Sequence, residues 1–166
     1  MKVIKVGTRK SKLAMTQTQQ LVDQLKKLHP ERDFVLVPYT TKGDRLTHVS
    51  LQEIGGKGVF VKEIERALLA GEIDMAVHSL KDMPAKLAEG CALGAISRRE
   101  DVRDCLIFRQ AGQTLADLPK GALIGTSSIR RQVQLQAQRP DLAFKPLRGN
   151  IDTRIKKLEE GEYDAI

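Results

Sequence analysis

Short apolar runs alternate along the chain with longer stretches whose apolar residues recur at helical spacing, the pattern of an α/β protein. Val3 to Val6 reads as a buried strand. Ser11 to Leu28 reads as a helix, with Ala14, Leu21, Leu25 and Leu28 on one face and Pro30 beyond its end. Phe34 to Val37 follows as a strand, Phe60 to Ala70 as a helix closed by Gly71, and Ile73 to Val77 and Ala92 to Ile96 as further strands. The charged stretch Ser97-Arg98-Arg99-Glu100-Asp101 then looks like a crossover between two lobes. Beyond it, Cys105 to Phe108, Ala122 to Ile124 and Ala143 to Leu147 read as strands, and Ser128 to Gln138 as a helix stopped by Pro140. Asn150 to Glu160 carries the strongest helix signal: Asn150 caps it, Ile151, Ile155 and Leu158 line one face, and Gly161 closes it. The expected division is a first lobe over 1–98 and a second over 99–166. A last apolar run, Tyr163 to Ile166, starts where the sequence stops, which favours a fragment with an incomplete second lobe.

Composition narrows the class. The 166 residues are 41% hydrophobic and 30% charged, ordinary values for a folded soluble domain, and no apolar run approaches a membrane span. Lysines interrupt the first apolar residues too soon for a signal peptide, and two distant cysteines make neither a disulfide framework nor a metal motif. The expectation is a cytoplasmic protein with no metal, its Cys91 and Cys105 buried and inert. The unusual figure is charge: 28 Lys+Arg against 21 Asp+Glu gives +7, so an anionic partner is implied. Nucleic acid fits poorly, since only 4% of residues are aromatic and many bases stand beside acids.

The positions of the cations matter more than their number. Val6-Gly7-Thr8-Arg9-Lys10-Ser11 and Ile124-Gly125-Thr126-Ser127-Ser128-Ile129-Arg130-Arg131 echo each other as strand, Gly-Thr, hydroxyl, base and helix. Free N–H groups at such helix starts favour an anion, and Ser or Thr capping alone leaves the arginines unexplained. With Arg148 and Arg154, five arginines stand at strand–helix junctions, where planar forks suit carboxylates better than lysine would. That distribution fits a cleft for a polycarboxylate. Gly55-Gly56-Lys57-Gly58 resembles a phosphate loop without its full pattern, and reads equally as a mobile loop. Ala76-Val77-His78-Ser79-Leu80-Lys81-Asp82-Met83-Pro84 ends a strand in titratable groups, where α/β proteins bind ligands, although Lys81 and Asp82 also read as a surface pair.

Together, Gly7-Thr8-Arg9-Lys10-Ser11-Lys12-Leu13-Ala14, Gly55 to Gly58, His78 to Pro84, Gly125 to Arg131 and Leu147-Arg148-Gly149-Asn150 closely resemble the porphobilinogen deaminase (hydroxymethylbilane synthase) family, from the first strand to the last residue. The resemblance implies a two-lobed, periplasmic-binding-protein-like fold (type II) with a small further C-terminal domain, absent here. It implies a transferase of haem and tetrapyrrole synthesis that deaminates four porphobilinogen units and joins them head to tail into hydroxymethylbilane. Asp82 would be the catalytic carboxylate, stabilising the cationic azafulvene left by loss of ammonia. Arg130, Arg131, Ser128, Thr126, Lys81 and Ser79 would bind a dipyrromethane cofactor, and Arg9, Ser11, Arg148, Arg154 and Lys57 the substrate and growing polypyrrole. Glu53 departs from the lysine that some relatives carry. The family's cofactor cysteine matches neither Cys91 nor Cys105, so a partial enzyme, monomeric at full length, is expected. The rival reading is a small-carboxylate receptor or effector domain on the same fold, without chemistry.

Overall fold

A computed structural model describes residues 3–45 and 58–166. The chain forms an α/β protein with parallel sheets, divided into two compact units, Met1–Ile96 and Ser97–Ile166.

Unit 1 is built on β1 (Val3–Arg9), α1 (Lys12–Leu28), β2 (Asp33–Tyr39), α2 (Lys42–Arg45), α3 (Lys62–Leu69) and β3 (Met75–Ala76). Its sheet order is β2-β1-β3, parallel throughout, with Val6 opposite both Leu36 and Met75. The central strand buries Val6, Gly7 and Thr8 in succession, so both of its faces are covered towards its carboxyl end. Val6 packs with Val22 and Phe34, and Ile64, Ala67 and Ile73 form a second cluster. Ser11 is the N-cap of α1, accepting from the Ala14 N–H. The expected face of α1 holds for Leu21 and Leu25, but Leu28 is 72% exposed, in a last turn that no described part of unit 1 covers.

Unit 2 carries β4 (Leu123–Gly125), α4 (Ile129–Gln138), β5 (Ala143–Lys145) and α5 (Ile151–Glu159). β4 and β5 pair in parallel, and Ala165 bridges Ile124 on the other side of β4, so the terminal apolar run does join a sheet. The expected strand at Cys105 to Phe108 shortens to a contact with that run. Phe108 bridges Ala165, while the Ile107 and Ile166 N–H groups each donate to the other's carbonyl at 2.9 and 3.0 Å. The expected strand at Ala92 to Ile96 is not formed. No backbone hydrogen bond ties it to another strand among the described residues, and Leu93 and Ile96 stand 52% and 69% exposed. An apolar run is a strand only where a neighbouring edge accepts its ladder. The thiols also depart from expectation: Cys91 is half-buried and Cys105 exposed.

The echo between the halves runs deeper than their first loops. Gly71-Glu72-Ile73-Asp74 after α3 and Gly161-Glu162-Tyr163-Asp164 after α5 do the same work. The Lys5 N–H donates to Asp74 Oδ2 at 2.8 Å while the Asp74 N–H donates to the Lys5 carbonyl at 2.9 Å. Leu123 and Asp164 repeat both bonds at 2.8 and 2.9 Å. Each returning strand is thereby locked in register on the central one. The close approach recurs too, since a Cβ on Gly7 would lie 2.3 Å from Ile73 Cδ1 and one on Gly125 2.8 Å from Tyr163 Cδ1.

Candidate functional site

Parallel strands bring all their carboxyl ends to one edge, and the loops leaving that edge carry the sequence-predicted residues. In unit 1 the residues at that edge are Arg9 at the end of β1, Thr41 to Asp44 after β2, which the sequence did not mark, and Val77 to Asp82 after β3. Arg9 is the hub. Its guanidinium pairs with Asp44 through Nη2 and through Nε at 3.3 Å, approaches Asp82 Oδ2 with Nη1 at 3.6 Å, and lies 4.1 Å over the Phe60 ring. Asp44 is fixed in turn by the Thr41 hydroxyl at 2.7 Å and the Thr41 N–H at 3.2 Å. Burial pushes the Asp44 carboxyl up, but the bonds from Arg9 and Thr41 outweigh it and hold the group below the usual carboxylate range. Asp82 sits in a short 3-10 turn, Leu80–Asp82, whose closing bond runs from the Asp82 N–H to the Ser79 carbonyl at 2.9 Å. Its ion pair is with Arg9, not with Lys81, whose side chain is exposed. Burial lowers the proton affinity of His78, with Asp82 partly opposing and Arg9 reinforcing that effect. His78 is therefore neutral at pH 7, beside an Asp82–Arg9 pair.

Ser11 is engaged as the cap of α1. Lys57, with Glu53, Gly55 and Gly56, lies outside the described residues; Gly58, which follows, has φ +69. Among the described residues no group of three or more His, Cys, Asp or Glu is placed to hold a metal ion.

In unit 2 the loop after β4 is pinned before it reaches its arginines. Thr126 is buried, its N–H donates to the Lys145 carbonyl at 3.1 Å, and its hydroxyl accepts from the Ser128 N–H at 3.2 Å. Ser128 caps α4 by accepting from the Arg131 N–H, so Arg130 and Arg131 occupy the first turn. Cations there oppose the helix dipole. Both turn to Asp104, which the sequence reading passed over. After β5, buried Leu147 anchors the chain, Gly149 turns it at φ +117, and Asn150 caps α5 through the Thr153 N–H at 2.8 Å. A Cβ on Gly149 would meet Thr153 Cγ2 at 2.9 Å, which is why glycine stands there. Arg154 donates from Nε to the Gly149 carbonyl at 2.8 Å. Its burial, with Arg131 and Arg148 nearby, makes its proton easier to lose than an exposed arginine's. Arg131, in the first turn of α4, and Arg148, just before α5, thus both bear on the charge of Arg154, in the first turn of α5. A half-buried cation among cations is an arrangement that an anion completes.

These features define an α/β protein with arginine-rich, hydroxyl-capped loops at the carboxyl ends of parallel strands, suited to bind a carboxylated ligand. The chain belongs to the porphobilinogen deaminase family: residues 4–166 match the family model described as "Porphobilinogen deaminase, dipyromethane cofactor binding domain". A porphobilinogen deaminase of Streptococcus sanguinis (strain SK36) is 98% identical over the whole chain, which covers 54% of that relative. Those of Brevibacillus brevis and Bacillus subtilis are 59% and 57% identical, with 98% and 100% of this chain and 52% of each relative aligned. The chain therefore spans about half the length of the curated relatives it matches.

The donor set of unit 2 fits the family's cofactor. Guanidinium groups and hydroxyls are partners for the acetate and propionate groups that a dipyrromethane carries, and Arg130 and Arg131 together carry one more positive charge than the Asp104 they share.

Proposed function

We propose that this chain supplies the cofactor- and substrate-binding half of an enzyme that deaminates porphobilinogen and condenses four units into hydroxymethylbilane. The observation supporting this reading is the placement of Arg130, Arg131, Arg148 and Arg154 at two capped helix starts that follow parallel strands, where the half-buried Arg154 bonds back to the Gly149 carbonyl. A bound dipyrromethane supplies the primer to which pyrroles are added. In unit 2, Arg130, Arg131, Ser128 and Thr126 hold its carboxylates, and Arg148 and Arg154 take those of the substrate and the growing chain. In unit 1, Ser79 and Lys81 assist in cofactor binding, and Arg9, Ser11 and Lys57 in substrate binding. Asp82 is the catalytic carboxylate. It faces positive charge developing at the substrate carbon that loses ammonia, and moves the proton there. Arg9 orients Asp82 through their ion pair, while neutral His78 adds no competing positive charge.

On this reading residues 1–98 and 99–166 belong to the two lobes of a periplasmic-binding-protein-like fold (type II). A further C-terminal domain bears the cysteine that attaches the cofactor. The whole enzyme is a cytoplasmic monomer that needs no metal, membrane or nucleic acid. No described helix is long and apolar enough to cross a membrane.

Intact-mass measurement of the chain after incubation with porphobilinogen tests the division of labour. The expected result is reversible binding with an unchanged covalent mass. Mass increments of one pyrrole would place the attachment within these residues and overturn that part of the reading.

A further inference from the structure

Asp104 lies outside every motif that carried the sequence reading, yet it sets the geometry of two site arginines. Arg130 meets it end-on, with Nη1 2.6 Å from Oδ2 and Nη2 3.1 Å from Oδ1. Arg131 meets it side-on, with Nε 3.0 Å and Nη2 2.9 Å from Oδ1. Arg130 Nη1 also donates to Gln134 Oε1 at 3.0 Å, one helical turn on. One carboxylate therefore serves two guanidinium groups and offsets their charge where the helix dipole resists it.

The carboxylate arrives on an anchored segment. Leu106, two residues on, packs into the core of unit 2, and Ile107 exchanges both backbone bonds with Ile166. The two arginines bind through the edges that face Asp104. Of the five N–H donors of a guanidinium, that leaves Arg130 its Nε–H and one Nη2 hydrogen, and Arg131 both Nη1 hydrogens and one on Nη2. The bonds from Arg130 and Arg131 also hold the Asp104 carboxyl well into acid, down to about 2, so it is charged at neutral pH.

We infer that Asp104 is a positioning residue: it orients the Arg130 and Arg131 forks before a ligand carboxylate arrives, and the ligand takes the donors Asp104 leaves over. This rests on the reading that those arginines bind cofactor carboxylates. The opposing possibility, that Asp104 competes with the ligand for the same edges, predicts the reverse effect of its removal.

The test uses D104N, D104A and D104E in the 166-residue chain, with two readouts. The first is the ligand-free NMR spectrum of the arginine Nε–H groups. The native protein is expected to show a resolved, slowly exchanging Arg131 Nε–H that D104N loses while its backbone amide spectrum stays native. The second is the dissociation constant for a synthetic dipyrromethane bearing acetate and propionate groups. D104N and D104A are expected to weaken binding by about tenfold or more, the usual effect of losing a group that orients a ligand-binding side chain, with D104E recovering most of it. Equal or tighter binding by D104N, or an unchanged Arg131 Nε–H, would overturn the inference. If the native chain does not bind the dipyrromethane at all, the functional reading fails instead, and the NMR readout still decides whether Asp104 holds the forks.

Discussion

Arg9 and Arg154 are both partly buried arginines in surroundings of opposite sign. Arg9 lies between Asp44 and Asp82, whereas Arg154 has Arg131 and Arg148 for neighbours. The first is satisfied within the protein, and the second is arranged for a ligand. In the proposed function this contrast gives Arg9 the task of orienting Asp82, and it leads to a prediction for Asp82. In a chimera carrying these residues in place of the matching part of the Streptococcus sanguinis relative, Asp82→Asn should lower porphobilinogen consumption by about 10²-fold or more. Dipyrromethane affinity should stay within about threefold. Equal losses in both would make Asp82 a binding residue and favour the receptor reading. His78 gives a pH prediction. Its proton affinity is lowered on folding, so below about 6.5 the unfolded chain takes up a proton that the folded chain resists. That contribution to stability is complete above 6.5 and is lost as pH falls. The native melting temperature should drop between pH 7.5 and 5.5 more than that of His78→Gln, and parallel drops would contradict the assignment. The motif residues themselves were legible in the sequence because each sits next to a strand end or helix start. Asp44 and Asp104 were not, because their arginine partners lie 35 and 26 residues away, and only the fold closes that distance.

The elements explain why the loops can be held so differently. In both units a central strand accepts a returning strand through a paired aspartate, Asp74 or Asp164, and through a glycine, Gly7 or Gly125, that admits a large neighbour. Gly7→Ala should destabilise unit 1 by about 1–3 kcal/mol, since its methyl group would collide with Ile73 Cδ1. Ile73→Val removes that atom, so the double variant should be more stable than the sum of the single effects allows. Urea unfolding of the four proteins measures the coupling, and simple additivity would show that the close approach is not what the glycine serves. Helices read well from the sequence because their caps are local: Ser11, Ser128 and Asn150 each accept from an N–H three residues on. Strands read less well. Ala92 to Ile96 has an apolar pattern but no described edge to pair with, and Cys105 to Phe108 keeps only its last two residues in contact with the terminal run. Periodicity shows which side chains seek cover, not whether a neighbouring backbone is there to bond.

At the scale of the whole molecule, the net charge of +7 resolves into local arrangements of unequal meaning. Arg139 with Asp141, half-buried, and Arg103 with Asp101, exposed, are pairs that leave no net charge. Arg130 and Arg131 share one carboxylate and leave one positive charge, and Arg148 and Arg154 add to it in the same unit. A ligand of several carboxylates is the complement of such a surface, and its binding should weaken as salt rises. Arg131→Ala and Arg154→Ala should each weaken it by about tenfold, as expected for loss of a charge-assisted contact. Calorimetric titration of the chain with a dipyrromethane bearing free acetate and propionate groups, beside the same compound as its methyl ester, tests the central claim most directly. The account predicts saturable one-site binding of the acid and none of the ester. Equal binding of both, or of neither, would contradict it.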